Sequence, residues 1–190
     1  MRKGAIHVFF SEVEEALQKR TDERIILAGP GQAKLQFREI LPRNLKDNVV
    51  DIINIDIDDE VEFVKKSKEI ISERKKLKSE EAVKLLKTEI LKDGLAAYGI
   101  QDTLDAVRNG QVELLPVEKK YKSRGWICEN CQIAKEGVQL ICPCCGKKTS
   151  EVDIIEEMLE FAERTDANVE FTDDTELANL GHAGAILRFK

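Results

Sequence analysis

The N-terminal half of the chain alternates between helical and strand-like patterns of apolar residues. A helical stripe comes first and predicts an amphipathic helix from Ile6 to Leu17; its apolar members are Ile6, Phe9, Phe10, Val13 and Leu17. Two short apolar runs, Arg24 to Ala28 and Val49 to Ile53, predict buried strands, and the stretch from Gln32 to Ile40 between them predicts a helix. This order favours a parallel pair of strands joined by a right-handed crossover.

A long and highly charged segment follows, from Asp59 to Lys92, and its pattern is helical. Ser79 precedes two glutamates, which is typical of a helix start, so we expect a second helix to begin there. Gly94 ends this pattern. We therefore predict a domain boundary at this glycine, which gives one domain over residues 1–94 and another over residues 95–190.

The second half predicts an α/β sandwich with an insertion. Its expected elements are a helix from Gln101 to Asn109 capped by Gly110, a strand from Val112 to Val117, a helix from Val152 to Glu163, a strand from Asn168 to Phe171, a short helix from Glu176 to Asn179 and a closing strand from Ala185 to Phe189. A cysteine-rich stretch interrupts this order after the first strand.

Composition narrows the class of protein. The 190 residues carry a net charge of −6, with 30 basic and 36 acidic side chains, which argues against indiscriminate binding to a polyanion. No apolar run is long enough to cross a bilayer, and no secretory signal accompanies the cysteines. We therefore expect a cytosolic, cytoplasmic protein with no membrane partner.

Two Cys-x-x-Cys pairs carry the strongest chemical signal of the chain. Cys128 and Cys131 form the first pair, and Cys142 and Cys145 form the second. Each pair can present two thiolates to one tetrahedral ion, so the spacing predicts a zinc ribbon over residues 126–148. Four thiolates leave no open position for water, so we expect a structural Zn²⁺ that takes no part in catalysis. Paired disulfides and a redox pair are the alternatives.

The fifth cysteine, Cys144, lies between two of these ligands on the same tight turn. We expect its side chain to point away from the metal.

A glycine-rich turn and a lysine-rich helix are weaker candidates for a phosphate or RNA site. The turn from Gly29 to Lys34 follows a strand and precedes a helix, but it lacks the pattern of a nucleotide loop, so we interpret it as a plain connection. The run from Lys65 to Lys78 has glutamates interleaved at spacings that favour pairs within the helix. A solvated helix face is therefore expected, with RNA contact as the alternative.

The two histidines and an acidic cluster complete the set of candidates. His7 and His182 have no partner in a recognisable motif, so we expect structural roles for both. The acidic cluster of Asp56, Asp58, Asp59 and Glu60 lacks the spacing of a calcium loop and is explained by the start of a helix.

Taken in order, several stretches of the chain resemble the archaeal and eukaryotic class-1 peptide-chain release factors. The matching stretches are Ala5 to Phe10, Ile25 to Gly31 with Lys34 and Phe37, Asn48 to Ile52, Gly94 to Gly99, Thr103-Leu104, Gly110 to Leu115 and Gly181 to Phe189. Archaeal members of that family also carry cysteine pairs where this chain has its own. The resemblance implies an incomplete α/β middle domain followed by an α/β sandwich with an inserted zinc ribbon.

The resemblance also has a clear limit. In the family, a separate N-terminal domain reads the stop codon and a Gly-Gly-Gln loop supports peptidyl-tRNA hydrolysis. No Gly-Gly-Gln occurs in these 190 residues, so the family's catalytic residues have no counterpart here. We expect no enzymatic activity of the chain. Because the middle domain is incomplete, its strands have free edges, and we expect the isolated chain to form a homodimer.

The implied function is that of a translation-termination module on the ribosome. It would dock to an elongation-factor-like translational GTPase and to an ABC-type recycling ATPase. Two alternatives stay open at this point: a module of a Pelota-like ribosome-rescue factor, in which we expect no zinc ribbon, and a stand-alone RNA-binding α/β domain.

Overall fold

The computed structural model describes residues 2–20, 23–56 and 60–189 of the chain. It divides into two compact units, Met1–Glu73 and Arg74–Lys190. Within the described residues, no helix is both long and apolar enough to cross a membrane.

The first unit is built around a pair of parallel strands. Its elements, in chain order, are α1 (Arg2–Gln18), β1 (Ile25–Ala28), α2 (Ala33–Ile40), α3 (Arg43–Asp47) and β2 (Val49–Ile53). Strands β1 and β2 pair in parallel, with Leu27 opposite Ile52, which confirms the predicted strand–helix–strand order. Phe10 of α1 packs against Phe37 of α2 at a ring-centroid distance of 5.1 Å, and both rings are buried. Helix α3 was not predicted.

Helix α4 (Glu60–Leu91) corrects the expectation of two helices in the charged segment. It runs through Ser79 without interruption, and the Ser79 hydroxyl donates to the carbonyl oxygen of Lys76 at 2.9 Å. Ser79 is therefore a buried residue inside the helix. No glycine or proline occurs between Glu60 and Leu91, so nothing in the segment forces a break.

The two units divide within α4, between Glu73 and Arg74. In the C-terminal half of α4, Val83 and Leu86 are buried against Leu177 and Ile186 of the second unit, so this half packs with the residues that follow it. The domain boundary at Gly94 stays a prediction.

The second unit holds a four-stranded mixed sheet. Its further elements are β3 (Ala96–Tyr98), α5 (Ile100–Arg108), β4 (Val112–Glu118), β5 (Arg124–Cys128), β6 (Ile133–Glu136), β7 (Ser150–Asp153), α6 (Ile154–Arg164), β8 (Asn168–Thr172), α7 (Thr175–Asn179) and β9 (Gly184–Leu187). The strand order is β3-β9-β4-β8, with β4 and β8 parallel and the other pairs antiparallel.

The two faces of this sheet bury different sets of residues, as the alternation of side chains along a strand requires. Along β9, Ala185 and Leu187 belong to the core shared with α5 and α6, whereas Ile186 packs with α4 and α7. Along β4, Leu115 likewise belongs to the core shared with α5 and α6, and Leu114 packs on the other face with α4 and α7. Helices therefore cover both faces, and the predicted α/β sandwich is confirmed.

A second, three-stranded sheet is inserted between β4 and α6. Its order is β6-β5-β7 and both pairings are antiparallel. Gly125 of β5 allows this sheet to approach α6: a Cβ atom there would overlap the side chain of Ile154 and lie 2.5 Å from the carbonyl oxygen of Lys135. The insertion thus rests directly on the sandwich core.

Candidate metal centre

The first cysteine pair lies in the turn that joins β5 to β6. Cys128 is the last residue of β5, and its carbonyl oxygen accepts hydrogen bonds from the backbone N–H groups of Cys131 and Gln132, at 3.2 and 2.7 Å. Gln132 has a positive φ of 54°, which turns the chain back into β6. The turn therefore holds the Cys128 and Cys131 side chains on one side.

The second pair lies in a similar turn before β7. The Cys142 N–H donates to the carbonyl oxygen of Lys147 at 2.7 Å, and its own carbonyl oxygen accepts from Gly146 at 2.9 Å. Gly146 has a φ of 69°, a conformation that glycine adopts without strain. Ile141 and Lys148 close the turn as an isolated antiparallel bridge.

The two turns bring the four predicted ligand sulfurs together. The Sγ atoms of Cys128, Cys131, Cys142 and Cys145 all lie within 4.8 Å of one another. Sγ of Cys128 is 3.6 Å from Sγ of Cys145, and Sγ of Cys131 is 3.9 Å from Sγ of Cys142. A tetrahedral ion with metal–sulfur bonds of about 2.3 Å requires sulfur separations of about 3.8 Å. The arrangement therefore fits a single sulfur-bound metal ion.

Cys144 is exposed and is not a member of this group of sulfurs. Its placement agrees with the expectation that it points away from the metal. All five cysteines are free thiols in the structure.

The thiols of the cluster differ in acidity. Burial raises the pKa of Cys128. A hydrogen bond with the Cys145 thiol, together with burial, raises the pKa of Cys131 to about 12. The backbone N–H of Cys145, helped by that of Cys144, lowers the pKa of Cys142 to about 6. The peptide dipoles thus stabilise one thiolate, whereas Cys128 and Cys131 need a bound cation to lose their protons readily.

A small cluster of apolar residues packs against the cysteines. Trp126 of β5 is buried together with Cys128 and Cys142, and Ile133 packs against them. Trp126 is also the chain's single tryptophan, so its fluorescence reports on the surroundings of the predicted metal ligands.

The glycine-rich turn after β1 is the connection that the sequence predicts. The Lys34 ammonium donates to the carbonyl oxygens of Gly29 and Gly31, at 2.9 and 2.6 Å, and to the side chain of Asn54. Lys34 is the residue that would bind a phosphate at this turn. Its ammonium group instead points into the turn and connects the turn to Asn54, which follows β2.

Several lysines of α4 and of the second unit pair with carboxylates. Lys119 pairs with Asp173 at 2.7 Å, and Lys122 pairs with Asp153 and Glu156 at 3.6 and 3.4 Å. On α4, the pairs are Lys66 with Glu62, Lys76 with Glu80, Lys78 with Glu170 and Lys87 with Glu176. This agrees with the solvated, ion-paired helix face expected from the sequence.

His182 has a partner that the sequence did not suggest. Its Nδ1 lies within hydrogen-bond distance of the Glu118 carboxylate, and its ring stacks on Tyr121. Glu118 and His182 are 64 positions apart in the sequence, so no local motif could have indicated the contact. His7 is exposed on α1, and the structural role expected for it stays a prediction. Of the acidic cluster, Asp58 and Asp59 lie outside the described residues.

Known proteins provide an independent comparison. The sequence model of the family eRF1 domain 3 matches residues 76–190 of this chain. The peptide chain release factor subunit 1 of Archaeoglobus fulgidus is 30% identical over 220 residues, which covers 100% of this chain and 54% of the relative. The chain thus spans about half the length of the curated relatives it matches.

Solved structures of a release-factor domain and of Pelota are similar to this chain in fold. The C-terminal domain of a peptide chain release factor from Methanosarcina mazei matches with a TM-score of 0.56 and 23% identity, over 72% of this chain and 97% of that one. Archaeal Pelota, in a model of ribosome-bound Pelota and ABCE1, matches with a TM-score of 0.59 and 20% identity, over 99% of this chain and 49% of that one. Because the family pattern covers more than half of its residues, the chain belongs to the eRF1 domain 3 family, as its resemblance to class-1 release factors predicted.

Proposed function

We propose that this chain acts in translation termination, as a release-factor module that binds partners and leaves hydrolysis to other residues. The observation that carries the proposal is the similarity to release factor subunit 1 of Archaeoglobus fulgidus along the whole chain. The partners we propose are the ribosome, an elongation-factor-like translational GTPase and an ABC-type recycling ATPase. The likeness in fold to Pelota, which is ribosome-bound with ABCE1 in the solved assembly, supports the last of these.

The same proposal assigns no catalytic role to the chain. Hydrolysis in the family depends on a Gly-Gly-Gln loop, and the 190 residues contain none. Among the described residues, the thiol cluster concentrates reactive side chains, but four sulfur ligands around one ion leave no position for a substrate or a water.

We further propose that the ion is Zn²⁺ and that its role is structural. Zinc is the common divalent ion for four cysteine ligands in tetrahedral geometry, and the sulfur separations fit that geometry. The ion would tie the β5–β6 turn to the turn before β7. It would thereby fix a part of the chain that has only a small apolar cluster of its own.

A Pelota-like rescue factor is the second candidate, because the fold similarity to archaeal Pelota is as high as that to the release-factor domain. The cysteine pairs favour the release factor, since we expect no zinc ribbon in Pelota. A stand-alone RNA-binding role is less favoured, because Lys119 and Lys122 are paired with carboxylates and the net charge is −6.

A binding titration tests the partner proposal. The full chain is titrated with the elongation-factor-like GTPase of its own cell and, separately, with naked RNA. We expect the GTPase to bind with a Kd of about 1 μM or weaker, which corresponds to about −8 kcal/mol or weaker. RNA binding should disappear at physiological salt, because it would depend on electrostatic attraction to a chain of net charge −6, and salt weakens that attraction. Tight RNA binding at that salt without GTPase binding would reverse the ranking of the two functions.

Binding to two kinds of ribosome complex distinguishes the release-factor function from the rescue-factor function. The chain is added to ribosomes halted at a stop codon and to ribosomes stalled at the end of a truncated messenger RNA. A release-factor module should co-sediment preferentially with the first in the presence of the GTPase. Preference for the second would favour the rescue factor.

A further inference from the structure

Two polar side chains next to the cysteines form a hydrogen-bonded chain that ends on a sulfur atom. The Lys147 ammonium donates to Oδ1 of Asn130 at 2.5 Å. On the other side of the same amide, Nδ2 of Asn130 lies 3.9 Å from Sγ of Cys131, within the range of an N–H···S hydrogen bond. Lys147 belongs to the second cysteine turn and Asn130 to the first, so the contact joins the two.

Lys147 fixes the orientation of the amide. An ammonium group has donors and no acceptor, so it can bind only the oxygen of Asn130. Once that oxygen faces Lys147, the NH₂ group faces Cys131. Without the lysine, either end of the amide can turn towards the sulfur, and the oxygen would repel a thiolate.

Cys131 differs from Cys128 and Cys142 in the origin of its N–H donor. Cys128 receives backbone N–H groups from Asn130 and Cys131, and Cys142 receives them from Cys144 and Cys145. Among the contacts of the described residues, the donor to Cys131 comes from a side chain. It is therefore a donor that a point substitution can remove.

We propose that Lys147 is a positioning residue of the metal centre: through Asn130 it holds an N–H donor on the Cys131 thiolate and so increases the affinity for the ion. The inference rests on the zinc centre proposed above. When zinc is bound by four thiolates, the centre carries two net negative charges, and an N–H···S bond disperses part of that charge from the ligand. Partners of this kind outside the ligand set change metal affinity by about 10- to 100-fold.

Lys148 is a matched control for charge. It is the next residue, is exposed and carries the same charge, but among the hydrogen bonds of the described residues it makes none with Asn130. A purely electrostatic effect on the anionic centre would make the two lysines nearly equivalent. A positioning effect makes Lys147 the important one.

The experiment measures zinc affinity of the full chain by competition with a chromophoric chelator. The variants are Lys147→Met, Lys148→Met, Asn130→Ala, the double variant Lys147→Met/Asn130→Ala and Lys147→Arg. Circular dichroism checks that each variant keeps its fold. The amide side-chain ¹⁵N resonances of Asn130 in the zinc-bound protein give a second, spectroscopic measurement.

We expect Lys147→Met and Asn130→Ala each to weaken zinc binding by about 10-fold or more, and Lys148→Met by less than about 3-fold. The double variant should be no weaker than the single ones, because both remove the same hydrogen bond. Lys147→Arg should keep most of the affinity and leave the Asn130 resonances nearly in place, whereas Lys147→Met should shift them.

Two results would contradict the inference, and only the first would also contradict the proposed zinc centre. If the unmodified chain binds no zinc, both the proposed centre and the inference fail. If the unmodified chain binds zinc and Lys147→Met weakens it no more than Lys148→Met, the centre stands and the positioning role is wrong.

Discussion

His182 lies face to face on Tyr121, with ring centroids 3.7 Å apart and ring planes only 6° from parallel. Tyr121 lies between β4 and β5, where the chain leaves the sandwich for the cysteine-bearing sheet, and His182 lies just before β9. The His182 side chain also pairs with Glu118, the last residue of β4. The stack therefore fixes the point at which the insertion departs from the sandwich.

Removing the Tyr121 ring tests this role. We expect Tyr121→Ala to lower the free energy of unfolding by about 1–3 kcal/mol, through lost ring stacking and lost apolar burial. Tyr121→Phe keeps the ring and should remain within about 0.5 kcal/mol of the parent. Chemical denaturation followed by circular dichroism gives both values, and equal effects of the two substitutions would contradict the role of the stack.

Gly125 provides a test of the contact between the inserted sheet and α6. Gly125→Ala places a methyl group against the Ile154 side chain and 2.5 Å from the Lys135 carbonyl oxygen. We expect a loss of about 1–3 kcal/mol in unfolding free energy, because neither neighbour can move freely in a packed core. The control is Gly94→Ala, where the nearest atoms belong to the flexible carboxylate of Glu89, and the loss should stay below about 1 kcal/mol. A larger loss for the control would show that the contact is not the cause.

Metal analysis tests the identity of the ion and its ligands. We expect one zinc per chain and loss of zinc in Cys128→Ser, because three thiolates hold the ion much more weakly than four. Cys144→Ser is the matched control and should keep its zinc, since Cys144 lies outside the sulfur group. Trp126 fluorescence should change on metal removal, while circular dichroism of the α/β core stays nearly constant. Zinc lost from both variants would contradict the assignment of ligands.

Proton release on metal binding tests the unequal acidity of the thiols. Because the pKa of Cys142 is lowered to about 6, this thiol is already ionised near neutral pH. Zinc binding at about pH 7.5 should therefore release fewer than four protons, most of them from thiols such as Cys131, whose pKa is raised to about 12. Affinity should rise with pH, since each of these protons competes with the ion. Calorimetry in buffers of different ionisation enthalpy counts the protons, and a release of four would contradict the lowered pKa of Cys142.

A peptide-release assay tests the absence of catalysis. Purified chain is added to ribosomes that carry peptidyl-tRNA at a stop codon, with a full-length archaeal release factor as the positive control. We expect no release above background from this chain, because it contains no Gly-Gly-Gln loop. Release above that background would place catalytic residues within these 190 positions.

Local patterns in the sequence determined much of the fold and all four sulfurs of the site. The spacing of Cys128, Cys131, Cys142 and Cys145 indicates a shared ion, because each pair closes its own short turn and needs little from the rest of the chain. The parallel strands β1 and β2 and the helices α1, α2 and α5 also follow from apolar periods that are set within each segment.

The tertiary structure alone decided the contacts between distant segments. Asn130 and Lys147 are 17 positions apart, and Glu118 and His182 are 64 apart, so their meeting depends on how the strands pair. The single course of α4 through Ser79 was also visible only in the structure: a serine before two glutamates suits a helix start, but the Ser79 side chain is buried and its hydroxyl donates to the carbonyl oxygen of Lys76 within the helix. A serine hydroxyl can bond to a carbonyl oxygen of the preceding turn as well as cap a helix start, so the local pattern by itself does not decide where the helix begins.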